Sequence, residues 1–120
     1  MKICVLGTNY TVTVRKYTDD ESFRRRSICG YCDYYTKQIV ICDMSTYKGW
    51  ELEPADTVKS CQKQTLRHEI VHAFLSESGL LESSFAFDGP WAKSEEMVDW
   101  IANQGPKIYE AWKKAGALDA

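Results

Sequence analysis

Two histidines stand four residues apart in this chain, and a glutamate directly follows the first of them. In a helix, four residues advance by about 400°, so His68 and His72 lie one turn apart on nearly the same face. Both imidazoles can then reach one metal ion. Glu69 is offset by about 100° from His68, so it flanks the ion rather than ligating it. The chain has only these 2 histidines, so all of its imidazole belongs to this H-E-x-x-H pattern.

The residues around the motif predict a helix of about 20 residues. Asp56 or Thr57 suits the N-cap position. Gly79 suits the left-handed position after the last turn, which places the helix end near Ser78. Apolar side chains recur at the helical period and predict a core-facing stripe, at Leu66, Ile70, Ala73 and Phe74.

A zinc ion that activates water needs a third protein ligand, and without a third histidine it must be a carboxylate or a cysteine. Ser94 is a natural N-cap, and the acids after it suit the first turn of a second helix. Glu95 and Asp99 would share a face of that helix. Glu95 can then ligate the metal while Asp99 accepts a hydrogen bond from a histidine ligand. Glu96 and Glu82 remain alternative ligands.

Such a site predicts metal-assisted hydrolysis, in which Glu69 takes a proton from metal-bound water and passes it to the leaving amine. The tetrahedral oxyanion needs a further donor besides the metal. The candidate donors are tyrosines, at positions Tyr31, Tyr34, Tyr35, Tyr47 and Tyr109. The group at residues 31–35 precedes a predicted strand near the motif helix, so we favour one of its members.

The H-E-x-x-H pattern followed by E-x-x-x-D on a downstream helix resembles the gluzincin branch of zinc metallopeptidases. The short length, the strand-rich first half and the segment Glu96-Met97-Val98-Asp99-Trp100-Ile101-Ala102 are similar to minimal phage- and prophage-encoded peptidase-like proteins. These are allied to the ImmA/IrrE type of metallo-endopeptidase. The resemblance covers roughly residues 28 to 110.

The resemblance implies residue roles for this chain. His68, His72 and Glu95 would be the zinc ligands, Glu69 the general base, and Asp99 the residue that orients a ligand. It also implies a phage-type metalloprotease, that is, a hydrolase. The larger gluzincins stabilise the oxyanion with an additional histidine, and this chain has none left.

Length and cysteine content indicate the kind of protein. With 120 residues, we expect a single domain over residues 1–120. The 5 cysteines cannot all pair, and we identify neither a signal peptide nor a membrane span, so we expect a cytoplasmic protein. Cys29 and Cys32 form a C-x-x-C pair, but a strand pattern follows them instead of the helix that a thioredoxin-like site needs.

The charges argue against a nucleic-acid partner. The chain has 15 basic and 17 acidic residues, and its only basic run, Arg24-Arg25-Arg26, follows the acidic run Asp19-Asp20-Glu21, which can neutralise it. Three charges are too few for a nucleic-acid-binding face. We expect neither a nucleic-acid nor a membrane partner.

The fold class predicted is α+β, a small antiparallel sheet packed against the H-E-x-x-H helix and one or two C-terminal helices, in a minimal zincin-like arrangement. Polar residues 19–27 favour a short helix. A loop over residues 83–92 carries aromatics that line a cleft or cover the core. Pro106 is expected to start a final helix after a break at residues 103–105. Four strands are predicted, over residues 2–6, 10–17, 28–35 and 37–42.

These features predict a monomeric zinc-dependent metallo-endopeptidase that hydrolyses peptide bonds of a protein or peptide substrate, such as a repressor-like regulator. The alternative is a catalytically weak zincin-fold protein that binds a partner protein, with zinc serving structure. A third, minor interpretation is a redox protein that uses Cys29 and Cys32.

Overall fold

Four strands of the computed structural model, which describes residues 1–118, form one mixed sheet. They are β1 (Lys2–Val5), β2 (Thr8–Arg15), β3 (Gly30–Asp33) and β4 (Gln38–Cys42). The order across the sheet is β1-β2-β4-β3, with β1 and β2 antiparallel, β3 and β4 antiparallel, and β2 and β4 parallel. The long connection between β2 and β3 carries the chain to the far edge, so β4 returns beside β2 in the same direction. The α+β class is confirmed, but this parallel pair was not predicted.

The described residues contain four α-helices: α1 (Glu21–Arg25), α2 (Ala55–Glu77), α3 (Leu80–Ser83) and α4 (Glu95–Lys114). Helix α2 is the predicted motif helix, and it ends as predicted, with Ser78 as C-cap and Gly79 at a φ of 82°. Its start differs, because Pro54 rather than Asp56 or Thr57 is the N-cap residue. None of these helices is long and apolar enough to cross a membrane.

The main core lies between the sheet and α2. Ile70 and Leu66 of α2 pack against it as predicted, and Ala73 is fully buried. Phe74, predicted for this core, is 41% exposed, because Ala73 takes the sheet-facing position at that turn. The buried residues of this core are Val5, Tyr10, Val12, Ile39, Ile41 and Ala73.

A second cluster covers the other face of the sheet, around Phe23 of α1 and Met44. Strand β4 is therefore buried on both faces, as its unbroken apolar run indicates. The edge strand β3 also passes close to α2. A Cβ atom at Gly30 would lie 3.0 Å from both Ile41 Cδ1 and Thr65 Cγ2, so a larger residue would push β3 away from the motif helix.

Helix α4 runs unbroken through Pro106, so the predicted break at residues 103–105 is wrong. Proline has no N–H, and the carbonyl of Ala102 therefore loses its usual helical donor. Arg67 of α2 supplies a replacement, because its Nε lies 2.8 Å from that oxygen. The core-facing residues of α4 are Val98 and Ala102, whereas Trp100 is 58% exposed.

The loop between α3 and α4 presents its aromatic residues to solvent. Phe85 and Phe87 are 87% and 99% exposed, so neither covers the core. Neither lines the cleft described below. Ser94 caps α4 as predicted, accepting a hydrogen bond from the backbone N–H of Met97 at 3.3 Å.

Candidate metal centre

Helices α2 and α4 bring two imidazoles and one carboxylate to a common point. The Nε2 atoms of His68 and His72 are 3.0 Å apart. Glu95, the first residue of α4, places Oε2 at 3.0 Å from His68 Nε2 and Oε1 at 3.2 Å from His72 Nε2. One potential ligand atom from each residue lies within 4.8 Å of the others. The described residues contain no second group of this kind.

Asp99 fixes the orientation of the first histidine. Its Oδ1 lies 2.7 Å from His68 Nδ1, one helical turn beyond Glu95. A proton on Nδ1 satisfies this carboxylate and leaves the Nε2 lone pair directed at the centre. The Nδ1 of His72 is buried and has no hydrogen-bond partner among the described residues.

The donor set fits a divalent metal ion. Two imidazole lone pairs and a carboxylate converge here, an arrangement that repels itself unless a cation or a proton lies between the donors. The spacing of 3.0 Å between the imidazole nitrogens is near the value of about 3.3 Å expected for two such ligands on tetrahedral zinc. Burial lowers the pKa of His72 below its ordinary value of 6.5, although Glu95 opposes this effect. The imidazole is then neutral at pH 7, as a metal ligand must be.

The two alternative third ligands do not reach this centre. Glu96 is exposed and lies outside the cleft, because it is about 100° round α4 from Glu95. Glu82 is 79% exposed and pairs with Lys93 at 3.4 Å. The structure therefore groups both histidines with Glu95 and with neither Glu96 nor Glu82.

Glu69 is buried beside the centre and is not one of the converging groups. Its Oε1 lies 4.0 Å from His68 Nε2. Burial raises the pKa of Glu69 to about 7, and the nearby His68 and Arg26 reduce this effect only in part. A carboxylate with a pKa near neutral is suited to take up and release a proton.

A cleft of about 510 Å³ opens between β3 and the helices α2 and α4, and it contains the metal centre. Two of the five candidate tyrosines, Tyr31 and Tyr34, line it. The hydroxyl of Tyr31 donates to Asp20 at 2.6 Å. The Tyr34 hydroxyl has no hydrogen-bond partner within residues 1–118. Burial, reinforced by neighbouring acidic groups that include Glu69, raises the pKa of Tyr34, so it remains a donor at neutral pH.

The other three tyrosines lie away from the cleft. Tyr35 is 97% exposed, and Tyr109 is 51% exposed on α4. Tyr47 packs edge-on against Tyr17 in the second hydrophobic cluster, with ring centroids 4.9 Å apart. Sequence reasoning could not separate Tyr34 from its neighbours, because Tyr34 lies in the turn after β3 and the packing of that region decides which tyrosine lines the cleft.

The C-x-x-C pair also borders the cleft, but its surroundings do not suit redox chemistry. Burial raises the pKa of Cys32 to about 12, with Glu69 adding to the effect, and burial also raises the pKa of Cys29. Reactive thiols and thiolate ligands require the opposite shift. These two residues therefore resemble small buried side chains, and all five cysteines of the chain are free.

No protein-family model, curated protein or solved structure matches this chain. The chemistry of the metal centre and its cleft is therefore the basis for assigning a function.

Proposed function

We propose that this protein is a zinc-dependent metallo-endopeptidase of the gluzincin type, allied to the phage-encoded ImmA/IrrE-like enzymes. One observation carries the proposal: His68, His72 and Glu95 converge on one point beside the buried carboxylate of Glu69. This is the donor set of a hydrolytic zinc site, with two imidazoles and one carboxylate as ligands and a separate acid for proton transfer.

Each polar group of the site has a role in peptide-bond hydrolysis. Zinc held by the three ligands would supply a Lewis acid that makes water nucleophilic near neutral pH. Glu69 takes the proton from the attacking water and delivers it to the amine that leaves. Tyr34 donates a hydrogen bond from its hydroxyl to the carbonyl oxygen as negative charge develops there. Asp99 holds the His68 ring through Nδ1.

The borders of the cleft favour a polypeptide substrate. Strand β3 is one of the two edge strands of the sheet and forms one wall of the cleft. An extended peptide could add to this edge by main-chain hydrogen bonds, which would lay it across the metal centre. We propose a single protein substrate, such as a repressor-like regulator, bound by a monomer.

A cytoplasmic location belongs to the same proposal. All five cysteines are free, and unpaired thiols are typical of a reducing compartment. Cys42 is fully buried and lies in the second hydrophobic cluster, as expected for a cysteine that serves as a small apolar side chain.

The test compares the wild type with Glu69→Gln and with the exposed control Glu96→Gln. Zinc content is measured by elemental analysis, and cleavage of an unfolded protein mixture is followed by mass spectrometry of new N-termini. We expect all three proteins to hold zinc. Hydrolysis should fall by about 10²- to 10⁴-fold in Glu69→Gln alone.

Two results would count against the proposal. Full activity of Glu69→Gln would remove Glu69 as the base. If the zinc-loaded wild type cleaves nothing and its melting temperature falls sharply when zinc is removed, the alternative takes over. The protein would then be a zincin-fold binding protein with structural zinc.

A further inference from the structure

Among the residues that the structure describes, Arg26 is the only lysine or arginine that lines the cleft. It lies on the wall formed by α1 and β3. The acidic residues of the lining, Glu69, Glu95 and Asp99, all lie on α2 and α4, at or next to the metal centre. The acidic groups of the cleft thus lie on α2 and α4, where a bound metal would neutralise them. The positive charge of Arg26 lies on a separate wall.

The backbone and one aromatic ring hold Arg26 in place. It is the C-cap residue of α1, and its N–H donates to the carbonyl of Ser22 at 3.0 Å. The next residue, Ser27, has a φ of 51°, which turns the chain back toward β3. The guanidinium carbon lies 6.0 Å from the ring centroid of Tyr31. The Tyr31 hydroxyl donates a hydrogen bond to Asp20 at 2.6 Å. This bond fixes the aromatic ring that Arg26 contacts.

The guanidinium of Arg26 is not committed to another group. Arg24 pairs with Glu21 at 3.7 Å and Arg15 with Asp20 at 2.8 Å. Within residues 1–118, Arg26 has no carboxylate at ion-pair distance, and it is exposed to solvent. A guanidinium with free N–H groups can bind a carboxylate through two parallel hydrogen bonds. An ammonium group cannot form this bidentate arrangement.

We propose that Arg26 binds a carboxylate of the substrate, so that the cleft selects acidic polypeptide. The carboxylate is either a Glu or Asp side chain near the cleaved bond or the free C-terminus of a peptide, because both present the same group. This inference deepens the proposed function and rests on it in taking the cleft as the place where a polypeptide lies.

The test measures binding instead of hydrolysis, so that it does not depend on catalysis. Isotope-labelled full-length protein with zinc added is titrated with peptides and followed by NMR, in the wild type and in Glu69→Gln. The probes are an acetylated, amidated alanine pentapeptide with a central Glu, its Gln counterpart, and an all-alanine pentapeptide as free acid and as amide. Arg26→Gln is compared with the matched control Arg25→Gln, which changes an adjacent arginine outside the cleft.

We expect the preferred acid to bind about three- to fivefold more tightly than its uncharged counterpart, in line with a partly exposed ion pair. Arg26→Gln should abolish this preference and Arg25→Gln should keep it. A preference for the central Glu identifies a side-chain carboxylate, and a preference for the free acid identifies a C-terminus. Either result supports the proposal.

Equal binding of acids and uncharged counterparts, a preference that survives Arg26→Gln, or no measurable binding of any probe would overturn it. Thermal unfolding of Arg26→Gln shows whether the variant is folded, and Arg26→Glu offers a second check, since it should reverse the preference toward a central Lys. A protein that hydrolyses nothing but keeps an Arg26-dependent preference would reject the peptidase and retain this binding role.

Discussion

Arg67 donates a hydrogen bond from Nε to the carbonyl oxygen of Ala102 at 2.8 Å. This is the oxygen that Pro106 leaves without a helical donor in α4. Arg67 directly precedes His68 in the sequence, so the bond ties α4 to α2 beside the metal centre. The contact supplies a partner for the carbonyl that the proline frees, which is consistent with the unbroken course of α4.

Replacing Arg67 by Met should therefore lower the free energy of unfolding by about 1–3 kcal/mol, because a buried carbonyl is left without a partner. Urea denaturation measures this change. Pro106→Ala restores an N–H four residues after Ala102, so Arg67→Met should cost less in that background. Strictly additive effects in the double variant would contradict this explanation of the contact.

The carboxylate that completes the metal site is tested by Glu95→Ala against its neighbour Glu96→Ala. We expect one zinc per wild-type chain by elemental analysis. Glu95→Ala should weaken zinc binding by at least about tenfold, because within residues 1–118 it removes the only carboxylate that reaches both imidazoles. Glu96→Ala should retain zinc. Equal retention in both variants would mean that Glu95 is not a ligand.

Tyr34→Phe tests the oxyanion donor, and Tyr35→Phe is its matched control, since Tyr35 is 97% exposed. Loss of one such donor should lower kcat by about 10²-fold. KM and zinc content should hardly change, because the hydroxyl acts on charge that develops only in the transition state. Unchanged kcat in Tyr34→Phe would assign this role elsewhere.

The shifted pKa of Asp20 predicts how the free energy of unfolding depends on pH. Burial alone would raise its pKa, but hydrogen bonds from Tyr31, Ser22 and Arg15 outweigh burial, and the pKa is lowered from its ordinary 3.8. The folded value lies below the unfolded one, so ionised Asp20 stabilises the fold above pH 3.8. This contribution is lost as the pH falls through the folded pKa.

Asp20→Asn keeps a cap oxygen for the N–H of Ser22 but removes the charge that pairs with Arg15. At pH 7 it should be less stable than the wild type by about 1–2 kcal/mol. The difference should shrink as the pH falls below 3.8, the ordinary value for this carboxyl, and urea denaturation at a series of pH values measures it. The exposed neighbour variant Asp19→Asn should show no such pattern, and a gap that stays constant with pH would reject the explanation.

Local patterns predicted α2 well, because its signals lie within the helix itself. The apolar period at Leu66 and Ile70 and the left-handed Gly79 require no information about distant residues. The break predicted at residues 103–105 failed for the opposite reason. Whether a proline ends a helix depends on which group donates a hydrogen bond to the freed carbonyl. Here the donor is Arg67, which lies on another helix.

The spacing of His68, Glu69 and His72 by itself determined the candidate metal-binding face of this protein, because helical geometry converts a separation of four residues into a shared face. Only the tertiary structure decided which carboxylate joins the pair, since Glu95, Glu96 and Glu82 are equivalent in chemistry and differ in where they point. The tertiary structure also decided that Tyr34 and Arg26 line the cleft. Their place at the cleft depends on β3 lying against α2, and that packing is a contact between segments far apart in the chain.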